Sequence, residues 1–411
     1  MRKMKDSGAE WIGTIPREWG IGRIDSFYTL RNTKVSDKDY QPLSVTMKGI
    51  MPQLDTAAKT NAHDDRKLVR KGDFAINSRS DRRGSCGISA YDGSVSLINT
   101  VLSPKGEMNP EYYDWLFHTI QFADEFYKCG HGIVDDLWTT NYQDMKKIII
   151  PVPSLKEQKK IATFLNRECA EIDALSADIQ SEIDTLEAYK RSVITEAVTK
   201  GLDKNVKMKD SKTGWMGDTP ENWGRTRVGY CLFEKNLRSA KGTEEPLSMS
   251  QKYGIVPTSE IDVPHIMASY VGAKITEPND LVLNKLKAHL GVFAVSRYRG
   301  LVSPDYAVYG AYNNTNPKYL EYLFKTEICI NEFKKYITGV GQGLSRLYTG
   351  DLFRIVISVP ERREQDVIVE YLNNICDEVE TIISQKQEQI EILAEYKKSI
   401  IFEYVTGKKE V

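Results

Sequence analysis

The sequence has no stretch approaching the roughly 20 consecutive apolar residues of a membrane-spanning helix, so no membrane partner is expected. Its six cysteines (86, 129, 169, 231, 329 and 376) form no C-x-x-C pair. Neither a disulfide framework nor a zinc ribbon follows from them, and they read as reduced packing residues. Five histidines lie far apart with no i, i+4 pair, which leaves zinc chemistry without ligands; no metal site is expected. An excess of charge is also missing: 56 Lys and Arg stand against 57 Asp and Glu, for a net charge of −1. The global field will not attract a polyanion, so any contact with nucleic acid must come from local basic patches or be shared with a partner. The opening MRKMKDSGAEW lacks the apolar middle of a secretory signal, and a cytoplasmic location is expected. No Walker A loop, no G-x-S-x-G, no H-E-x-x-H and no catalytic carboxylate pair is present, so neither a catalytic residue nor a cofactor is expected. The sequence reads as a binder.

What is present is a repeat. KMKDS occurs at Lys3 and again at Lys207, and DSGAEWIGTIPREWG is answered by DSKTGWMGDTPENWG, with Trp11/Trp215, Gly13/Gly217, Pro16/Pro220 and Trp19/Trp223 all 204 residues apart. The register then slips to 207. Asp73 and Asn77 face Asp280 and Asn284, IIIPVP faces IVISVP, Glu157-Gln158 faces Glu364-Gln365, and YKRS faces YKKS. Such self-similarity marks a tandem duplication. The W-x-G-x-x-P-x-x-W turns read as packing motifs, in which Gly and Pro set a turn and the indoles fill a hydrophobic joint.

Each repeat has two parts. The first mixes short β-branched runs with helical stretches such as NPEYYDWLFHTIQFADEFY and predicts an α+β domain. The second lacks Gly and Pro and carries Leu165, Ile172, Ile179, Leu186 and Val193 every seven residues, with Ile161, Leu175, Ile183 and Tyr189 at adjoining positions. That is the seam of a coiled coil. The second copy keeps Leu372, Val379, Leu393 and Ile400 but places Lys386 in the seam, as a residue that fixes alignment does. The expected architecture is two tandem α+β domains (1–153 and 203–360) and two long helices (154–202 and 361–411), the helices packed as an antiparallel coiled coil with pseudo-two-fold symmetry.

NPEY at Asn109 and NPKY at Asn316 look like the N-P-P-aromatic motif of adenine methyltransferases, but lack its second proline. Asn as N-cap with Pro at the first helical position is the simpler reading. GVGQGL from Gly339 resembles a dinucleotide loop without its βαβ context, and reads instead as a loop that approaches a ligand closely. The basic stretch RKLVRKGDFAINSRSDRRG carries Arg79, Arg82 and Arg83 at its polar tip, and the equivalent NKLKAHLG carries Lys285, Lys287 and His289. The framework is kept while these letters differ, as expected of two scaffolds of one design that read different bases. Further candidates for DNA contact are Gln41, Lys48, Thr139, Thr140, Asn141, Gln251, Lys252, Tyr253, Gln342, Arg346 and Tyr348.

Together these features resemble the specificity subunits of type I restriction-modification systems. The resemblance covers nearly the whole chain. It rests on the opening Trp turns, on PVPSLKEQKKIATFL against SVPERREQDVIVEYL, and on YKRSVITEAVTKG against YKKSIIFEYVTGK. It implies that each α+β domain is a target recognition domain reading one half of a bipartite, asymmetric double-stranded DNA site. It further implies that the paired helices space these domains and dock two modification (methyltransferase) subunits, that restriction (motor-nuclease) subunits join the complex, and that this subunit is not an enzyme. The first copy departs from the family in having GHGIVDDLW where a G-x-x-Q loop is usual. Other readings are a stand-alone adenine methyltransferase and a coiled-coil scaffold that reads no DNA.

Overall fold

The computed structural model describes residues 2–53, 64–79, 82–132, 138–251, 253–261, 269–338 and 346–411. The chain divides into two compact units: Met1–Gln180 with Gln387–Val411, and Ser181–Lys386. Both long helices, Leu155–Lys200 and Arg362–Val405, contribute to both units. At 1.5 Å per residue these 46- and 44-residue rods run about 69 and 66 Å.

Within the first unit a four-stranded antiparallel sheet runs in the order Cys86–Ile88, Phe74–Asn77, Asn99–Pro104, Tyr28–Leu30. The second unit repeats that order with Phe293–Val295, Leu281–Asn284, Tyr306–Ala311 and Leu232–Lys235. Central strands such as FAIN and LVLN are buried at every position, which is why they read as continuous apolar runs rather than alternating ones. Helices Pro110–Phe117 and Pro317–Phe324 pack beside these sheets. Each begins at its Asn-Pro, with Asn109 Oδ1 accepting the Tyr112 amide at 2.8 Å and Asn316 Oδ1 accepting the Lys318 amide at 2.9 Å. The simpler reading of NPEY and NPKY therefore holds: these asparagines are caps.

KMKDS is the first strand of a hairpin in both copies: Met4–Asp6 pairs with Thr14–Pro16, and Met208–Asp210 pairs with Asp218–Pro220. Gly13 and Gly217 turn the chain at φ +70° and +71°, a region open to glycine at little cost. Trp19 and Trp223 are buried at the base of their cores, so the Trp turns pack as expected.

Three internal contacts show how the rods meet. In the first unit Lys397 reaches Asp173 at 2.6 Å and the Phe164 and Tyr404 rings lie 4.4 Å apart; in the second, Lys190 reaches Glu380 at 2.6 Å. Numbers rise on one rod as they fall on the other, so within each unit the pairing is antiparallel. Of the seam residues, Leu165, Ile172, Ile179, Leu372, Val379 and Ile400 are buried, and Leu186, Val193, Lys386 and Leu393 are half-buried. Lys386 pairs with Glu182 on the facing rod. Two adjoining positions differ from expectation: Leu175 and Tyr189 are 49% and 50% exposed. The second buried stripe lies four residues beyond the seam, at Cys169, Ile183 and Ala197, because a straight helix drifts by about 20° per heptad against a strict seven-residue repeat.

The rod ends complete the cores. Tyr112 donates to the Val405 carbonyl at 2.7 Å in the first unit, and Tyr319 donates to the Val198 carbonyl at 2.9 Å in the second. Each α+β body is thus closed by the helix end that belongs to the other repeat.

Candidate nucleic-acid interface

In each unit a central strand ends at an asparagine that turns the chain into the basic loop. Asn77 Oδ1 accepts the Arg79 amide at 3.1 Å; 207 residues later, Asn284 Oδ1 accepts the Leu286 amide at 3.2 Å. This is a local side-chain turn of the kind Asn favours. The loop is then pinned to a segment distant in sequence. The Thr140 amide donates to the Ser78 carbonyl at 3.0 Å, and the Leu347 amide donates to the Lys285 carbonyl at 3.2 Å. Arg79 also bridges to Thr139, and within the distant segment His131 bridges to Thr139 as Thr338 does to Arg346, 207 residues later.

A hairpin adds a third piece. Leu43–Thr46 and Gly49–Pro52 lie over Cys86–Ile88 so closely that a Cβ on Gly87 would stand 2.8 Å from the Gly49 Cα; only glycine fits there. Lys48 sits exposed at that hairpin's tip. In the second unit the hairpin Leu247–Ser250 and Gly254–Pro257 is tied through the Gln251 side chain to the Leu290 carbonyl, at the end of the 3-10 helix Lys285–Leu290. The candidate residues therefore gather, within each unit, along one loop edge: Lys48, Arg79, Arg82, Arg83 and Thr139 in the first, and Gln251, Lys285, Lys287, His289, Arg346 and Tyr348 in the second. Tyr253 is 54% exposed on the second hairpin.

Not every candidate is available to a ligand. Thr140 is buried and its hydroxyl donates to the Phe126 carbonyl at 2.8 Å, so its role is to hold the loop edge together. Asn141 caps the helix Tyr142–Met145, accepting the amides of Gln143 and Asp144 at 2.8 and 3.3 Å. Arg83 is held by Asp124 and lies over the Tyr127 ring, 5.2 Å from its centroid. Gln41, by contrast, is held only through its backbone carbonyl, which accepts the Ser94 amide at 2.9 Å, and the residue is exposed. Arg79, Lys287, His289 and Tyr348 are exposed. Lys252 and Gln342, together with the loop 339–345 that contains GVGQGL, lie outside the described residues, as do Ser80 and Asp81 of the first loop and residues 133–137 of GHGIVDDLW.

Charge at the second loop edge is crowded. Burial pushes the Lys285 amine below its ordinary range, and the like charges of Lys274 and Arg346 push it the same way. Asp305 accepts from Arg346 Nη2 at 3.2 Å and offsets part of this. Sequence reasoning missed Trp138 and His131. The Trp138 indole donates to the Tyr127 carbonyl at 2.9 Å and braces the ring beneath Arg83, and His131 bridges to Thr139 through its backbone. An apolar residue set directly before the polar run TTN was the available signal for Trp138; His131 had none.

Residues 16–185 match the model of the type I restriction modification DNA specificity domain. The chain is 24% identical to the type I restriction enzyme MjaVIII specificity subunit of Methanocaldococcus jannaschii, covering 97% of this chain and 94% of that protein. It is also 24% identical to a protein of the same organism described as the MjaX specificity subunit, covering 97% and 96%. Its fold matches a chain solved in work on complex assembly and conformational transition of the type I R-M system, with a TM-score of 0.70, 14% identity, and 96% and 99% of the two chains covered. It matches the HsdS subunit from Thermoanaerobacter tengcongensis with a TM-score of 0.53, 16% identity, and 96% and 98% covered. Along nearly its whole length, then, the chain is similar to type I restriction-modification specificity subunits, and residues 16–185 match the DNA specificity domain of such systems.

Proposed function

We propose that this chain is the non-catalytic DNA-reading subunit of a cytoplasmic type I restriction-modification complex. Its segments 1–153 and 203–360 act as target recognition domains, each reading half of a bipartite, asymmetric double-stranded DNA site. Its helical segments, 154–202 and 361–411, dock two methyltransferase subunits, and motor-nuclease subunits join the assembly. One observation carries the reading: each unit pins its basic loop to the segment before a short helix through hydrogen bonds at equivalent positions (Ser78 with Thr140, Lys285 with Leu347), yet the side chains on the two loop edges differ. A kept scaffold with changed outward residues is what two heads of different base specificity require.

Docking through the rods is supported by apolar residues left uncovered on them. In the first unit these include Leu175 and Tyr396, 49% and 52% exposed; in the second they include Tyr189 and Ile382, 50% and 40% exposed. Leu175 corresponds to Ile382 and Tyr189 to Tyr396 by the 207 spacing, so the two units offer like surfaces to two copies of one partner. The second unit also has a cleft of about 860 Å3 lined by Lys190, Thr195, Lys318, Tyr322 and Cys376 among others.

The test is to sequence methylated adenines in a host with and without the gene, alongside its methyltransferase partner. A new modified site made of two unlike halves around an unread spacer is expected. A continuous palindrome, or no gene-dependent methylation, would overturn the proposal.

A further inference from the structure

The two units begin one short helix in different ways. Asn141 opens Tyr142–Met145 and accepts two amides, as a capping residue should. At the equivalent position, 207 residues later, Tyr348 opens Thr349–Arg354 and no side chain caps the helix. The backbone is not the cause: both residues are extended, at φ −88°, ψ 169° and φ −82°, ψ 152°. Burial does not compensate either, because Tyr348 is 48% exposed. A residue that forgoes a cap and leaves about half of an aromatic side chain in water breaks a local rule, and such breaks concentrate where function demands them. The backbone that carries the ring is fixed by its neighbours. Leu347 is buried with its amide on the Lys285 carbonyl, Arg346 is anchored by Asp305, and the exposed Lys287 belongs to the same loop edge.

We propose that Tyr348 is a DNA-contacting specificity residue of the second unit. Its ring packs against the methyl-bearing edge of a thymine in the half-site that this unit reads, while Lys285 and Lys287 lie beside it toward the phosphates. The proposal deepens the reading of the chain as a DNA-specificity subunit and rests on it. An aromatic face cannot reproduce the paired donors with which an arginine such as Arg79 meets guanine; the apolar thymine methyl is the base feature it complements.

The experiment uses the full chain assembled with its methyltransferase partners and a duplex carrying the split site mapped in the host. Tyr348→Asn installs the first unit's cap, so this variant melts at or above the wild-type temperature and misfolding does not confuse the result. It is expected to bind the mapped duplex about tenfold more weakly. Replacing one thymine of that half-site by uracil, which removes only the methyl group, is expected to weaken the wild type by a similar factor and the variant by no more. Tyr348→Phe binds as the wild type does. Unchanged affinity of Tyr348→Asn, or losses that simply multiply for every uracil duplex, would overturn the assignment. Absence of a split site for the wild-type chain is a separate outcome, seen before any variant is made, and removes the underlying reading instead.

Discussion

Asp114 and Glu321 occupy equivalent positions and do one job in opposite electrostatic settings. Each accepts the amide of a sheet-edge residue, Ile88 at 2.8 Å and Val295 at 2.9 Å, and so fastens the first helix of its body to the strand after the basic loop. Burial raises the Asp114 carboxyl above its ordinary value; the nearby His118 and the Ile88 amide pull the other way, and Glu111 adds to the rise. Burial opposes ionisation of Glu321 too, but Lys325 and Lys318, at 2.6 and 3.0 Å, together with the Val295 amide, bring it below its ordinary value. The raised group contributes stability at low pH that is lost as pH rises through its folded value, and the lowered group contributes stability at neutral pH that is lost as pH falls. Asp114→Asn should therefore stabilise at pH 7, with a gain that shrinks as pH falls through the raised Asp114 value, whereas Glu321→Gln should destabilise at pH 7, with a loss that holds until pH falls below the ordinary glutamate range and shrinks only there. Calorimetric melting from pH 7 down through those values reads both. A pair of buried glutamines gives a simpler expectation. Gln365 bonds the Asn316 amide at 2.8 Å and the carbonyls of Pro360 and Asn314 at 2.9 and 3.3 Å, and Gln158 repeats the first two of these links with Asn109 and Pro153. Gln365→Ala leaves a backbone amide and carbonyls unpaired and should cost about 1–3 kcal/mol in urea unfolding.

Among the elements, the rods carry the one seam residue that the two copies do not share in kind. Lys386 stands where the first copy has Ile179, and it reaches Glu182, which is mostly exposed. Lys386→Ile would bury apolar surface at a half-buried seam position and release a carboxylate into water rather than strand it. The variant should melt higher, by on the order of 1 kcal/mol of stability, while losing the feature that disfavours a shifted alignment. The rods were the most legible part of the chain, since Leu155 and Arg362, where they begin, follow IIIPVP and IVISVP after one intervening residue, and heptad spacing marks one buried stripe. Of the adjoining positions, Ile161 and Ile183, the latter four residues after a seam residue, are buried, whereas Leu175 and Tyr189, three residues after one, are exposed. The loop edge was legible only as a composition. That Arg79 remains exposed while Arg83 is spoken for depends on Asp124 and Tyr127, some forty residues away. Thr140 likewise looks available in TTN and is consumed by the Phe126 carbonyl. Periodicity reports which face is apolar; it carries no information about which distant partner will claim a polar side chain.

For the whole molecule the decisive feature is that neither repeat encloses its own core. In the first unit Val405 accepts from Tyr112, Gly407 packs on Pro16 and Trp19, and Lys408 donates to the Ile12 carbonyl at 2.7 Å, all from the end of the second repeat. In the second unit Val198 and Gly201, from the end of the first repeat, meet Tyr319, Trp223 and Pro220 in the same way. A half-chain of residues 1–206 therefore lacks the helix end that closes its body, but contains the equivalent end, which has nowhere of its own to dock. Two such half-chains can each supply what the other lacks, so the fragment is expected to associate as a symmetric pair, with a melting temperature that rises with concentration. Tyr112→Phe, which removes the hydroxyl received by the borrowed rod end, should weaken that pairing in sedimentation. If the pair also joins the methyltransferase partner, both heads are copies of the first, and the sequence it methylates should be a split palindrome built from the first half-site alone. Methylation by the paired half-chain at the intact asymmetric site would show instead that one head reads both halves, and would remove the correspondence between repeat and half-site.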